Sequence, residues 1–371
     1  MATARPSFVR HRGLLATLAL ACTAVLPPSQ AADFGTVSVF AQVPTEGLLT
    51  GFPEGIAVRG ERVYVTGPAT LGTSLNNQAS PVWEYDRASG ALLRTLRVEG
   101  EVVFGEEHAN SCLAFDGAGQ LYVLNTQLGT LRLDLATDAQ TTYSPALRDD
   151  PVCLPLGLSK KPCTPTLANL PPLANDLAFD DAGNLYVTDS MQATIWRIPA
   201  GGGAPEVWFR DWRLASPYIG VNGLRISPDR SRVYISVTTD MLGLGRIYTL
   251  PLVDKPLASS LKTFHSFGLG DGPDGFAFGA SGNLYVTLAL PGKSGIVVLD
   301  PGGNELTRIM NPLLTPFSPF DSPANVAFDG QGNLLVTNHA FVTGHVLPDH
   351  FQVLKVVVND VASPLAEPLL P

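Results

Sequence analysis

Glu54, Asn175, Asn222 and Asp274 open four copies of one short motif that the chain repeats six times. The copies begin Glu54-Gly55-Ile56, Ser111-Cys112-Leu113, Asn175-Asp176-Leu177, Asn222-Gly223-Leu224, Asp274-Gly275-Phe276 and Ala324-Asn325-Val326. Gathered into a ring, the first residues bring side-chain oxygens together, two of them on carboxylates. Such a set suits one hard divalent cation, Ca²⁺ first, with water or a substrate completing six or more contacts. A mixed Glu/Asn/Asp set with open positions also admits Mg²⁺, Mn²⁺ or Zn²⁺. No Cys or His stands in the ring, which speaks against a thiolate zinc site. One such residue alone reads as a strand cap or an Asx turn. Four at equivalent positions read as a binding site. Ser111 lacks a nucleophile elbow, so a serine hydrolase is not indicated. His108, His339, His345 and His350 are expected in solvated loops.

The elements that must position this ring are strands. Each motif runs into a short apolar strand, a turn, and a second strand such as Leu185-Tyr186-Val187-Thr188 or Leu284-Tyr285-Val286-Thr287. Aromatic and β-branched runs bounded by Asp, Asn and Gly are the pattern of a hairpin. The runs Asp116-Gly117-Ala118-Gly119 and Asp329-Gly330-Gln331-Gly332 invite a calcium-loop reading but fall where the first strand must reverse, so they read as turns. The motifs start at 54, 111, 175, 222, 274 and 324, in steps of 57, 64, 47, 52 and 50. A period near fifty carrying four strands is a propeller blade. After Asn175 the four are 175–179, 185–188, 194–198 and 206–209. No apolar pattern at helical spacing runs beyond two turns. The fold class is therefore all-β, a six-bladed β-propeller with four-stranded blades. Six blades must close or leave an edge open. The strand at 35–41 is expected to complete blade six, with 365–370 a rival weakened by Pro368. The propeller spans 35–362 and residues 363–371 form a tail.

Residues 1–31 read as a secretory signal: Arg5, Arg10 and Arg12 precede the apolar run 13–26, and Ser29-Gln30-Ala31 offers small residues for cleavage. The run is short for a membrane span. The protein is expected to be secreted or periplasmic, where disulfides persist. Cys153 and Cys163 lie within a Pro-rich insertion at 145–170 and are the expected pair, with Cys112 a buried free thiol. The net charge is −9, with both signs mixed and no basic block, so nucleic acid is not an expected partner. A small-molecule substrate is. Oligomeric state is left open.

These motifs make the chain resemble the senescence-marker-protein (regucalcin)/gluconolactonase family, related to diisopropylfluorophosphatase and the paraoxonases. The resemblance covers about residues 35–360. It implies a six-bladed propeller with a divalent metal, often Ca²⁺, in the channel. The family's ligands match Glu54 in Pro53-Glu54-Gly55, Asn222 in Val221-Asn222-Gly223 and Asp274 in Pro273-Asp274-Gly275. Asn175 matches a blade-three Asn nearby. Leu173 stands where the gluconolactonases carry an Arg, and Ser111 where the paraoxonases carry a His. The expected function is metal-dependent hydrolysis of a lactone or related ester. Asp274 holds the metal and serves as base, and Asn175 orients water or substrate. The alternative is a non-catalytic, NHL-like propeller that binds a ligand or protein partner, its metal structural or absent.

Overall fold

A computed structural model describes residues 1–2, 32–46, 49–153 and 162–370. The expected signal, 1–31, lies almost wholly outside them. The chain divides into two units, 1–32 and 33–371, and the second is the propeller. It holds six antiparallel sheets of four strands each. Blades one to five occupy 56–97, 110–144, 174–210, 221–269 and 273–310. Blade six takes three strands from 323–357 and its outer fourth from Val37–Gln42. That strand pairs with Gln352–Val357 in the register Val37 to Val356, so the ring closes through the N-terminal strand as expected. The only helical elements among the described residues are four 3₁₀ turns of three residues each. None is long and apolar enough to cross a membrane.

The second strand of a blade is largely buried, and along its whole length at Leu185–Asp189 and Leu284–Leu288. It is flanked by two strands and covered by two neighbouring blades, which explains a near-continuous apolar run rather than alternation. The hydrophobic core accordingly lies between blades. Tyr186, Ile195 and Trp208 of blade three pack with Leu224, Val233 and Ile235 of blade four, and five similar clusters fill the other junctions. At four junctions the Tyr of one second strand meets, edge to face, the Phe that ends the next blade's inner strand. The pairs are Tyr64–Phe115, Tyr122–Phe179, Tyr234–Phe278 and Tyr285–Phe328, with centroids 5.2, 4.9, 4.9 and 5.4 Å apart. Such pairs add roughly 0.5–1.5 kcal/mol each beyond their buried area.

Asp116 and Asp329 are turn residues, as expected. Their Oδ1 atoms accept from the N–H groups of Gln120 at 2.9 Å and Asn333 at 3.1 Å. Cys153 and Cys163 are disulfide-bonded, and Cys112 is free and buried. The segment 365–370 does not compete for blade six. The C-terminal tail instead crosses the mouth of the channel opposite the motif starts. Val361 and Ser363 bond to blade five, Arg230 of blade four donates to Pro364, Arg59 of blade one pairs with Glu367 at 2.8 Å, and Gly117 of blade two donates to Pro368.

Candidate metal centre

The six motif starts come to one end of the channel through a shared irregularity. In blade three, Ala174 pairs with Asp189 and Leu177 with Val187, leaving Asn175 and Asp176 opposite Thr188 alone. The register shifts at the same point in blades two, four, five and six. In blade one the backbone of Thr66 bonds to both Glu54 and Gly55. Each is a β-bulge, one residue too many on the inner strand, and bulges re-aim side chains beside functional sites.

A hydroxyl on the second strand repairs the bulge and ties it to the next blade. Thr188 Oγ1 accepts from Asp176 N at 3.0 Å and donates to Asn222 O at 2.5 Å. Ser236 accepts from Gly223 N and donates to Asp274 O at 2.7 Å. Thr337 accepts from Asn325 N and donates to Glu54 O at 2.7 Å. Thr287 donates to Ala324 O at 2.7 Å, and Thr66 donates to Ser111 O. Blade two has Leu124 in this place, and there Ser111 Oγ itself donates to Ala174 O at 2.8 Å. The backbone of the ring is thus held in place by its neighbours, whatever the side chains bind.

Glu54, Asn175 and Asn222 are buried, and Asp274 is nearly so. Burial raises the Glu54 carboxyl well above its ordinary pKa, and the charges of Asp274 and Asp176 raise it further. Burial and then Asp176 raise Asp274, while the Asn222 side chain and the Gly275 N–H pull it back. Glu54, Asn222 and Asp274 therefore lie within electrostatic reach of one another. Asn222 Nδ2 donates to Thr238 Oγ1 at 2.9 Å, which fixes the amide's orientation. Its Oδ1 is buried with no hydrogen-bond partner, and so is Oδ1 of Asn175. Buried oxygens without a donor are costly unless something positive meets them. Two such oxygens beside two buried carboxylates fit a hard cation. Among the described residues no three His, Cys, Asp or Glu side chains cluster as a metal site, so the set rests on carboxamides as much as on acids.

Two of the four histidines depart from expectation, whereas His345 is exposed as expected. His339 is buried, not solvated. Its Nε2 lies 2.8 Å from Ala69 O and 3.6 Å from Glu54 Oε2, and burial pushes its pKa down to about 4. Phe341, 53% exposed, stacks over it with centroids 6.0 Å apart. His108 is also buried, its ring nitrogens facing the carbonyls of Glu106 and Gln78. His350 is bound by Asp321 at 2.7 Å. Phe52 and Phe341 cover His339, while backbone carbonyls and Thr73 enclose His108. Only His339, two residues past the second strand's hydroxyl, offered a signal in the sequence.

Sequence reading also missed the residues next to the ring. Asp176 and Arg225 form a buried ion pair at 2.6 Å, and Arg225 reaches on to Asn325. Alternation along a strand turns successive side chains to opposite faces, and the bulge is what breaks that rule here.

Residues 172–340 match the family model described as the SMP-30/Gluconolactonase/LRE-like region, a stretch that includes Asn175, Asn222 and Asp274 but not Glu54. No curated protein matches the chain. Among solved structures, the calcium-binding protein regucalcin from Agrobacterium tumefaciens is similar with a TM-score of 0.60 at 18% identity, covering 90% of this chain and 99% of that one. A luciferin-regenerating enzyme is similar with a TM-score of 0.56 at 16% identity, covering 88% and 97%. A putative gluconolactonase is similar with a TM-score of 0.54 at 15% identity, covering 88% and 93%. At these identities the likeness is one of fold. The chain thus carries an SMP-30/gluconolactonase/LRE-like region, built into a six-bladed propeller.

Proposed function

We propose that the protein is an exported, metal-dependent hydrolase of a lactone or related ester, with one divalent cation, Ca²⁺ first, held by Glu54, Asn222 and Asp274. The observation that supports this most is the pair of buried, partnerless amide oxygens beside two buried acids. A bound cation would polarise a substrate carbonyl and stabilise the oxyanion that forms on attack. Asn222 presents Oδ1 because Thr238 holds its Nδ2. Asp274 would take a proton from an attacking water at its carboxylate. Asn175, whose Oδ1 is equally free, orients that water or the substrate. His339, neutral at physiological pH, is held by Ala69 O beside Glu54 and is not assigned a proton-transfer role. Phe341 gives apolar contact at the mouth. Export is supported by the Cys153–Cys163 disulfide, which an oxidising compartment preserves.

A panel of lactones and aryl esters, assayed before and after chelation, tests the reading. Turnover should fall on chelation and return with Ca²⁺. Asn175→Ala should retain the cation and lose at least about 10²-fold in kcat, the scale for removal of one positioned polar group. A protein that binds Ca²⁺ and hydrolyses nothing on the panel would instead be a binding propeller.

A further inference from the structure

The second bulge residue of each blade forms a layer directly behind the ring. Blades one, four and five carry Gly55, Gly223 and Gly275 there. A Cβ at these positions would lie 2.5 Å from Thr66 Oγ1, 2.6 Å from Asp274 O and 2.5 Å from Asn325 Oδ1, so nothing larger fits. Blades two, three and six carry Cys112, Asp176 and Asn325, and Arg225 of blade four joins them. Arg225 Nη1 donates to Asp176 Oδ2 at 2.6 Å, and its Nη2 donates to Asn325 Oδ1 at 3.1 Å. Asn325 Nδ2 lies 3.1 Å from Cys112 Sγ. One network therefore spans four blades across the channel.

Asp176 is not placed to be a ligand. Its Oδ1 accepts from Leu177 N at 2.9 Å, and its Oδ2 accepts from Leu224 N at 2.9 Å as well as from Arg225. Its charge nonetheless stands beside the ring: it follows Asn175 in the same bulge, and Leu224, two residues past Asn222, donates to it. Arg225 is the cation that pairs with it, 13% exposed against 2% for the Asp176 side chain. With the pair neutral as a unit, the two ring carboxylates match a divalent cation in charge.

We infer that Asp176 and Arg225 are positioning residues that set the ring's affinity for its cation through charge, without touching it. The inference rests on the metal reading of the ring. It assigns opposite signs to the two residues. Arg225→Met leaves Asp176 uncompensated and should tighten Ca²⁺ binding. Asp176→Asn leaves Arg225 uncompensated and should weaken it. A unit charge acting on a dication through the protein interior is large enough that each change should reach at least about tenfold in Kd. The double variant Asp176→Asn/Arg225→Met should return to within about threefold of the parent, and neutral replacements of a buried pair commonly still fold. Arg225→Lys, which keeps the charge and gives up the reach to Asn325, should also stay within about threefold.

The test is calorimetric titration of Ca²⁺ into the chelator-treated full chain and these variants. A tighter Arg225→Met, a weaker Asp176→Asn and a parent-like double variant bear the inference out. If both single variants weaken binding alike, or the double variant is as weak as the weaker single, the network is packing alone and the inference is overturned. If Arg225→Met does not fold, the double variant and Arg225→Lys decide by the same limits. If the parent itself takes no Ca²⁺, Mg²⁺ or Mn²⁺, it is the metal reading that fails, and this inference fails with it.

Discussion

Glu54 and Asp274 are two acids facing a third, Asp176, whose charge is already paired with Arg225. Both have folded-state pKa values raised above the ordinary range near about 4. Without a bound cation their contribution to stability is therefore present below about pH 4 and is lost as pH rises through the raised values. His339 works in the opposite sense, its contribution being present above about 6.5 and lost as pH falls towards about 4. The difference in melting temperature between Ca²⁺-loaded and chelated protein isolates the carboxylates. That difference should grow from pH 5 to pH 8, as scanning calorimetry at matched ionic strength would show; a constant difference would remove the acids from the site. The ring residues were legible in the sequence because they occupy one position in a repeat. Asp176 and Arg225 were not, because a bulge puts two successive side chains on the channel side where strand alternation allows one. Ser111 stands in the ring outside the proposed ligand set, and its hydroxyl holds Ala174 O. Ser111→Ala should leave Ca²⁺ binding intact and cost roughly 1 kcal/mol of stability, measured by denaturant melts.

At the scale of the element, the inner hairpin is the unit of both fold and site. The inner strand offers a carbonyl at five of the six motif starts, and the hydroxyl of the preceding blade's second strand takes it. The Thr in Leu185-Tyr186-Val187-Thr188 was visible in the sequence as a β-branched strand residue. Its second partner, in another blade, was not, since that contact exists only once blades are side by side. Thr337→Val keeps the shape and strands both Asn325 N and Glu54 O. It should cost roughly 2 kcal/mol and, by loosening Glu54, weaken cation binding. A urea melt with an unchanged slope and a lower midpoint is the expected readout. A midpoint equal to the parent's would mean the hydroxyl contact contributes nothing.

For the molecule as a whole, closure was legible because a propeller without it has an open edge, and a strand stood ready ahead of the first motif. The path of the tail was not, because 360–370 forms almost no regular strand and is held by scattered bonds to blades one, two, four and five, with Leu370 packing on blade three. A chain beginning at residue 46 should lose stability severely. It uncovers Phe351 and Val353 where Ala41 and Val43 now pack. A chain ending at 358 should lose less and keep its cation. Comparative thermal melts of both would order them; a 46-start chain melting with the mature protein would refute the closing role of 37–42. The ring exists only because closure brings residues 54 and 274 to one axis, so cation binding reports on fold and site together. The most direct test is Ca²⁺ titration into chelator-treated parent and Asp274→Asn protein. One site in the parent and markedly weaker binding in the variant is the expected result. Equal affinity in both would remove Asp274 from the site, and the enzymatic reading with it.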